Sequence, residues 1–234
     1  MRPKLLDLFC GAGGAGMGYH RAGFDVTGVD INPQPNYPFA FIQADALEYL
    51  AEHGHEYDAI HASPPCQVHT ELAGLVRKQP GRGATYDSRH IDLIPQTREL
   101  LDALGLPYII ENVPGARRSL HSPIMLCGNM FGLKVYRHRL FESNVLLLAP
   151  THQKHLIKAL GKGYTPKSED EFVVVTGKVG AHPLAQKAMG IDWMSTKRIE
   201  DRTSEASQAI PPAFSEYLGL QLIRFVEAPA TLGA

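Results

Sequence analysis

A glycine-rich turn between an apolar run and a helix-like segment constrains the fold of this chain more than any other feature. Residues 5–9, LLDLF, predict a short buried strand, and residues 11–16, GAGGAG, follow it with the spacing G-x-G-x-x-G. The next segment, AGMGYHRAG, is typical of a helix that begins with small residues. Such a turn lets backbone approach a ligand closely and directs a helix N-terminus at it. We therefore predict a nucleotide-type site beside Gly11 and Gly13.

Strand and helix signals alternate through the first 142 residues. Short apolar runs that predict further strands are VTGVD, FAFIQ, YDAIHAS and PYIIENV. Between them, ALEYLAEHG and IDLIPQTRELLDALG have the apolar i, i+3, i+4 spacing of helices. This rhythm predicts an α/β fold, a doubly wound and mostly parallel sheet with helices on both faces. The pattern then becomes irregular until a helix-like segment that begins near residue 205.

Composition and charge restrict the classes of function. The chain has 234 residues and a formal net charge of -1, so its overall charge neither indicates nor excludes a nucleic-acid partner. Its three cysteines do not form a disulfide pattern, and no CxxC spacing predicts a metal site. No apolar run approaches the roughly 18 residues of a membrane span, and no signal peptide is recognisable. We expect a cytoplasmic monomer with no metal and no membrane partner.

Two acidic residues extend the nucleotide hypothesis. Asp30 ends the second predicted strand, 19 residues after Gly11, where a carboxylate accepts hydrogen bonds from ribose hydroxyls. Asp45 follows the third predicted strand, where it contacts an adenine amino group or caps the next helix. The alternative to a ligand site is a tight turn with Asp30 as a surface cap. A dinucleotide such as NAD and S-adenosylmethionine both fit these positions.

A cysteine preceded by two prolines is the first catalytic candidate. Cys66 stands in PPCQ at the predicted C-terminal end of the fourth strand, which is the ligand side of a doubly wound sheet. Pro64 and Pro65 restrict the loop and would hold the thiol in one position, as a nucleophile requires. A buried, unreactive thiol is the alternative, and we favour that interpretation for Cys10 and Cys127.

An acidic residue and two arginines complete the catalytic candidates. Glu111 ends the fifth predicted strand among aliphatic residues, so partial desolvation would raise its pKa and make it a proton donor near neutral pH. Arg137 and Arg139 alternate in VYRHRLFES, so in a strand they would project to the same side. Two guanidinium groups there suit a phosphate or a carbonyl oxygen of a base. The alternatives are a carboxylate that caps a turn and solvated arginines on an edge strand.

Taken together, these motifs resemble those of DNA cytosine-5 methyltransferases. The similar segments are the cofactor motif DLFCGAGG, the nucleophile loop PPCQ, the proton-donor motif ENV, the strand motif RHR and the last motif AIPP. They stand in the family's order between residue 7 and about residue 219. The sequence departs from the family at Val135, where a glutamine is frequent, at Val68-His69, where Phe-Ser is usual, and at Asp30, where glutamate is common.

The resemblance implies transfer of a methyl group from S-adenosylmethionine to C5 of cytosine in DNA, through an adduct between Cys66 and C6 of a flipped base. It implies that Glu111 protonates N3, that Arg139 holds O2 and that Arg137 supports it or contacts a phosphate. The predicted cofactor-binding residues are Phe9, Gly11, Gly13, Asp30, Ile31, Asp45, Ala46 and Pro64. The last motif is expected to fold back beside the cofactor.

The resemblance also predicts the domain organisation of a compact, phage-like family member. A catalytic and cofactor-binding domain would span residues 1–142, a reduced target-recognition segment residues 143–185, and a C-terminal segment that returns to the catalytic domain residues 186–234. Basic residues from Arg117 to Arg139, followed by Lys154, Lys158 and Lys162, would contact DNA phosphates. Open alternatives are an NAD-type oxidoreductase, action on a cytosine nucleotide or RNA or with a modified sulfonium donor, and a catalytically silent DNA-binding module.

Overall fold

Seven strands form one sheet in the computed structural model, which describes residues 1–66, 69, 91–157, 159, 166–175, 182–195 and 204–227. In chain order they are β1 (Lys4–Leu8), β2 (Asp25–Asp30), β3 (Ala40–Gln43), β4 (Ala59–Ala62), β5 (Tyr108–Asn112), β6 (Ile124–Leu126) and β7 (Arg139–Ser143). Their spatial order is β3-β2-β1-β4-β5-β7-β6. Strands β1 to β5 are parallel, whereas β7 runs antiparallel to both β5 and β6.

The described residues also contain six α-helices. They are α1 (Gly14–Ala22), α2 (Ala46–His53), α3 (Ile94–Leu104), α4 (Pro183–Ala188), α5 (Glu205–Gln208) and α6 (Pro212–Glu227). The helix predicted from residue 205 is divided, because Pro211 and Pro212 lack the backbone N–H groups that would continue α5. Among the residues that the structure describes, no helix has both the length and the apolar character that crossing a membrane requires.

Alternating strand residues place helices on both faces of the sheet. On one face, Leu5 and Val26 belong to a buried apolar cluster that includes α1 and α6. On the other face, Leu6 and Ile60 belong to a second cluster that includes α2 and α3. Because successive strand residues point to opposite faces, each central strand contributes to both cores. The predicted doubly wound, mostly parallel α/β fold is thus confirmed.

A third, smaller apolar cluster connects late parts of the chain with the glycine-rich turn. It contains Ala12, Val135, Val173, Val175, Ala185, Met189, Ile191, Met194 and Ala206. Its members come from all three segments of the predicted domain division. The boundaries of that division fall inside β7, at residue 142, and inside α4, at residue 185. The division itself stays a prediction.

Helices α1 and α6 pack closely because α1 contributes small residues to the contact. A Cβ atom placed on Gly18 would overlap Ser215 Oγ and the carbonyl oxygen of Pro212, both in α6. A Cβ atom on Gly14 would likewise overlap the carbonyl oxygen of Ile210, just before α6. The glycines at the start of α1 therefore determine how near the last helix approaches the glycine-rich turn.

We expect Gly18→Ala to lower the free energy of unfolding by roughly 1–3 kcal/mol, because an inserted methyl group in a close-packed contact forces backbone to shift. Urea denaturation of the purified protein measures the change. The control is Arg21→Ala, a substitution in the same helix whose side chain lies 4.0 Å from Glu216 and is 44% exposed. That variant should stay within about 0.5 kcal/mol of the wild type. Equal stability of Gly18→Ala and wild type would contradict this account of the helix contact.

Candidate active site

A cavity of about 520 Å³ lies at the edge of the sheet where the parallel strands end. Its lining includes the residues that follow β1 and β4, Asp30 at the end of β2 and Glu111 near the end of β5. Arg139 reaches the same edge as the first residue of β7, because β7 runs in the opposite direction. Ligands of doubly wound folds bind at this edge.

The turn after β1 is held against the end of β2 by the Asp30 carboxylate. The backbone N–H of Gly11 donates to Asp30 Oδ2 at 3.1 Å, and the N–H of Asn32 donates to Oδ1 at 2.9 Å. Phe9, at the start of the turn, has a positive φ of 56°. This conformation is uncommon for a bulky residue and is typical of functional sites. Each Asp30 oxygen keeps a further lone pair for a ligand.

Seven of the eight predicted cofactor-binding residues line the cavity. They are Phe9, Gly11, Asp30, Ile31, Asp45, Ala46 and Pro64. Asp45 also caps α2, accepting from the N–H of Leu47 at 2.9 Å, so its two predicted roles are compatible in position. Gly13 does not line the cavity: it precedes α1 with φ 82°, and its Cα faces Tyr37 and Pro38. The left-handed conformation, rather than a ligand, explains a glycine there.

Cys66, Glu111 and Arg139 line the same cavity, as the motifs predict. Arg139 Nε lies 2.8 Å from Glu111 Oε1, and both side chains are largely buried. Burial raises the pKa of the Cys66 thiol, and the Glu111 charge raises it further, whereas Arg139 and Arg137 lower it. Cys66 is partly exposed, while Cys10 and Cys127 are buried, as expected for them. Burial first and the Glu111 charge second therefore keep the thiol in the cavity from ionising as readily as a free cysteine.

Glu111 ends a chain of buried hydrogen bonds that begins in α1. Burial raises the pKa of Glu111, although Arg139, Arg137 and a hydrogen bond from Ser63 oppose the shift. His61 Nε2 lies 2.9 Å from Ser63 Oγ, and His61 Nδ1 lies 2.9 Å from Tyr19 Oη. Burial lowers the pKa of His61 to about 3, so its ring is neutral. If Ser63 donates to the carboxylate, His61 must donate to Ser63 and accept from Tyr19.

The loop that carries Cys66 is anchored on both sides. Asn112 Nδ2 donates to the carbonyl oxygen of Pro64 at 2.9 Å. His69 donates its backbone N–H to the carbonyl oxygen of Cys66 at 2.9 Å, and its ring lies 3.1 Å from the Asp92 carboxylate. Gln67 and Val68 lie outside the described residues. Asn112 at the end of β5 and Asp92 before α3 thus add to the restriction that Pro64 and Pro65 impose on the loop.

The prediction that Arg137 and Arg139 project from one face of a strand is wrong. Strand β7 begins at Arg139, so Arg137 lies before it. The Arg137 guanidinium is buried and donates to the carbonyl oxygen of Val175 at 3.1 Å and to that of Ser207 at 2.8 Å. Its Nη atoms are therefore engaged by backbone, and the expected support of Arg139 or contact with a phosphate stays a prediction. Arg137 ties β7 to the segment before α6.

One buried residue of the lining was not singled out from sequence, whereas a second part of the lining was expected. Asp7, inside β1, is buried, and burial raises its pKa to about 8 despite a hydrogen bond from Tyr37. Its Oδ1 atom has no hydrogen-bond partner among the described residues. A charged residue inside the apolar run LLDLF was the available signal. Residues 207–210 also line the cavity, which places the start of the AIPP motif there, as the resemblance implies.

Sequence comparisons match part of this chain to methyltransferases. The chain is 31% identical over 119 residues to type II methyltransferase M.FnuDI of Fusobacterium nucleatum, covering 48% of this chain and 33% of the relative. It is 33% identical over 132 residues to type II methyltransferase M.AquIA of Picosynechococcus sp., covering 49% of this chain and 50% of the relative. The matched regions thus span between a third and half of these relatives. No protein-family model matches the chain.

Solved structures extend the similarity to nearly the whole chain. A prophage-encoded protein (E. coli) described as a DNA modification methyltransferase superposes with a TM-score of 0.57 at 17% identity, covering 95% of this chain and 99% of that one. The Dnmt2 methyltransferase of S. pombe superposes with a TM-score of 0.58 at 14% identity, covering 97% and 100%. At these identities the solved structures show a shared fold, and the sequence matches to type II methyltransferases cover about half of this chain. The sheet has the Rossmann-like fold of S-adenosylmethionine-dependent methyltransferases.

We expect Glu111→Gln to accelerate alkylation of Cys66 several-fold at a pH where the Glu111 carboxylate is ionised. The substitution removes the negative charge that raises the thiol pKa, and each pKa unit changes the thiolate fraction up to about tenfold. Arg139→Gln should slow the reaction for the opposite reason. Iodoacetamide labelling followed by peptide mass spectrometry measures the rate at Cys66. Glu52→Gln, an exposed substitution on α2, is the control; slower labelling of Glu111→Gln than of this control would contradict the electrostatic account.

Proposed function

We propose that the protein transfers a methyl group from S-adenosylmethionine to C5 of cytosine in DNA. The observation that carries this proposal is the convergence of Cys66 and the Glu111–Arg139 ion pair in one cavity with the glycine-rich turn. A nucleotide-binding turn alone is compatible with many activities. A thiol, an acid and a guanidinium at its ligand edge are the groups required for nucleophilic activation of a pyrimidine ring.

The residues in the cavity fit S-adenosylmethionine. Asp30 offers acceptor lone pairs at the end of β2 for ribose hydroxyls, and the Asp7 Oδ1 atom is a buried acceptor without a partner among the described residues. Phe9 and Ile31 add apolar surface on the same lining. When bound, this cofactor supplies the electrophilic methyl group that C5 of the activated ring accepts.

Cys66 activates the ring in the proposed reaction. Its thiolate adds to C6, forming the S–C6 bond, and the displaced electron pair moves through C5 and C4 to N3. Glu111 in its neutral form gives N3 a proton, which leaves C5 as an enamine-like carbon. After methylation the N3 proton returns to Glu111. The C5 proton is lost to water, the C5–C6 double bond re-forms, and the S–C6 bond breaks to release the Cys66 thiolate.

The electrostatics of the cavity support these roles. A carboxyl group with a raised pKa carries its proton at a higher pH than an ordinary glutamate does, which suits the donation to N3. Arg139 lowers the pKa of Cys66 and offers a guanidinium to the O2 atom of the base. Both functions require Arg139 to remain at the cavity, where its contact with Glu111 holds it.

DNA is the proposed substrate, and the reaction requires a flipped base. Neither face of a cytosine ring stacked in a duplex is accessible to a thiol in a cavity of this kind, so the base must leave the stack. Arg117 and Arg118 are exposed in the 3₁₀ helix Pro114–Arg118, which follows β5 and the Glu111 position. They are available for phosphate contacts. Lys158 and Lys162, which were expected to contact phosphates, lie outside the described residues.

The direct test is mass spectrometry of nucleosides from nucleic acid incubated with the protein and S-adenosylmethionine. The proposal expects 5-methylcytosine in DNA. Parallel incubations with RNA and with cytosine nucleotides separate the alternative substrates. Methylation confined to either of those, or at another atom of the base, would replace the proposal.

The Cys66→Ala variant should lose methyl transfer and keep its affinity for S-adenosylhomocysteine within about tenfold, because the thiol acts only after both substrates are in place. DNA carrying 5-fluorocytosine gives an independent measurement. Fluorine at C5 does not leave as a proton does, so wild type should accumulate a covalent complex that survives denaturation, and Cys66→Ala should not. Normal turnover by this variant would rule out the nucleophile assignment.

Asp30→Ala should weaken S-adenosylhomocysteine binding by about 1.5–3 kcal/mol, because it removes a charged acceptor for the ribose hydroxyls. Isothermal titration calorimetry measures the affinity. Asp25→Ala is the matched control, since Asp25 begins the same strand and is exposed. A parallel titration with NAD distinguishes the dinucleotide hypothesis. Tight NAD binding without S-adenosylhomocysteine binding would show that the turn serves a different cofactor.

A further inference from the structure

Four side chains of metal-binding type converge outside the cavity. They are Cys127, His138, His152 and His155, and their ligand atoms all lie within 4.8 Å of one another. None of the four lines the cavity described above. We call them the Cys-His₃ cluster. The residues come from the position after β6, the position before β7 and the segment that follows β7, so only the fold brings them together.

Three distances between ligand atoms of the Cys-His₃ cluster are close to those of a tetrahedral zinc site. Nitrogen ligands about 2.05 Å from Zn²⁺ stand roughly 3.3 Å apart in a tetrahedron, and a sulfur ligand at about 2.3 Å stands roughly 3.6 Å from a nitrogen. Here His138 Nε2 and His152 Nε2 are 3.3 Å apart, and His152 Nε2 and His155 Nε2 are 3.1 Å apart. Cys127 Sγ lies 3.4 Å from His155 Nε2.

Hydrogen bonding alone does not explain this arrangement. His152 Nε2 contacts the Nε2 atoms of both His138 and His155, and His155 Nε2 also contacts Cys127 Sγ. A neutral imidazole nitrogen either donates one hydrogen or accepts with one lone pair, so it does not satisfy two such neighbours equally well. A cation at the centre would satisfy all of the converging lone pairs at once.

The ligands are presented by ordered surroundings. Cys127 is fully buried and directly precedes the 3₁₀ helix Gly128–Phe131. His138 directly precedes β7. The ring of His155 stacks on Tyr136 with centroids 3.8 Å apart and an interplanar angle of 8°, and Tyr136 stacks in turn on Phe172. Stacking limits rotation of the imidazole, which keeps its ligand atom directed at the others.

We propose that the Cys-His₃ cluster binds one Zn²⁺ ion. One thiolate and three imidazoles form a borderline-soft donor set that suits zinc rather than magnesium or calcium. Four protein ligands fill a tetrahedral zinc ion, so the site is structural and leaves no position for a substrate.

The bound ion would fix the chain next to the catalytic arginine. His138 is adjacent to Arg139, whose Nη1 donates to the carbonyl oxygen of His138 at 2.9 Å. Two other ligands, His152 and His155, belong to the segment after β7, within the region predicted to hold target recognition. Zinc would therefore attach that segment to the sheet at the point where Arg139 enters the cavity.

Zinc content of the protein, purified without a polyhistidine tag, tests the proposal. After incubation with Zn²⁺ and dialysis, atomic emission should find one ion per chain. Cys127→Ser and His155→Ala should each lower zinc affinity by at least about 100-fold, more than loss of an outer-shell partner costs. His53→Ala, a substitution of a partly exposed histidine on α2, is the matched control and should retain the ion.

Cobalt provides a measurement that does not depend on a variant. Wild type loaded with Co²⁺ should show the intense visible bands of tetrahedral coordination and a sulfur-to-cobalt charge-transfer absorption, and Cys127→Ser should lose the latter. Circular dichroism and S-adenosylhomocysteine titration verify that each variant is folded, and neither readout needs methyl transfer. Wild type with less than stoichiometric zinc, absence of the charge-transfer band in wild type, or equal zinc retention by folded Cys127→Ser would overturn the proposal.

Discussion

The buried ion pair between Glu111 and Arg139 is the interaction on which the candidate site depends. It joins β5 to β7 at the cavity edge, with 2.8 Å between Arg139 Nε and Glu111 Oε1. Only an antiparallel β7 delivers its first residue to the edge where the parallel strands end. Removing one partner would leave a buried, uncompensated charge, which typically costs about 3–5 kcal/mol. Because Glu111 raises and Arg139 lowers the pKa of the Cys66 thiol, the direction of β7 also affects how readily that thiol ionises.

Closure of the cavity depends on contacts between residues distant in sequence. Residues 207–210 complete the lining, yet they lie far along the chain from the glycine-rich turn. Gly14 and Gly18 allow this late segment to approach α1, and Arg137 donates to the carbonyl oxygen of Ser207. A buried guanidinium that satisfies backbone acceptors is thus a positioning element for the cavity wall. This role explains why an arginine stands at that position without facing the cavity.

The sheet could be predicted from sequence because its signals are local. Apolar runs end at Asp30 and Asn112, and the apolar spacing of α2 and α3 is regular, so strands, helices and their order follow from short windows. The cavity edge follows from the same reasoning, which placed Cys66 and Glu111 together. The direction of β7 and its first residue could not be predicted in this way, because the residues in and around RHR do not show where pairing with β5 begins. For that reason the sequence pattern put Arg137 inside the strand, whereas it precedes β7.

The Cys-His₃ cluster was missed for a related reason. Only His152 and His155 are close in sequence, and Cys127 joins them through the pairing of β6 with β7. A search for short ligand spacings does not detect a site that a strand pair assembles. For Gly13 the sequence predicted a role that the structure does not require. The G-x-G-x-x-G spacing suggested a ligand contact, whereas the positive φ of Gly13 is itself a reason for glycine at this position.

Two sets of contacts meet at the start of β7 and constrain it from different sides. Glu111 holds the Arg139 side chain from within the cavity, and the carbonyl oxygen of His138 accepts from the same guanidinium. His138, the residue before Arg139, belongs to the Cys-His₃ cluster and does not line the cavity. This is expected because consecutive residues of an extended chain point to opposite sides. In the proposed reaction, the Arg139 guanidinium therefore loses little conformational freedom when it meets the base.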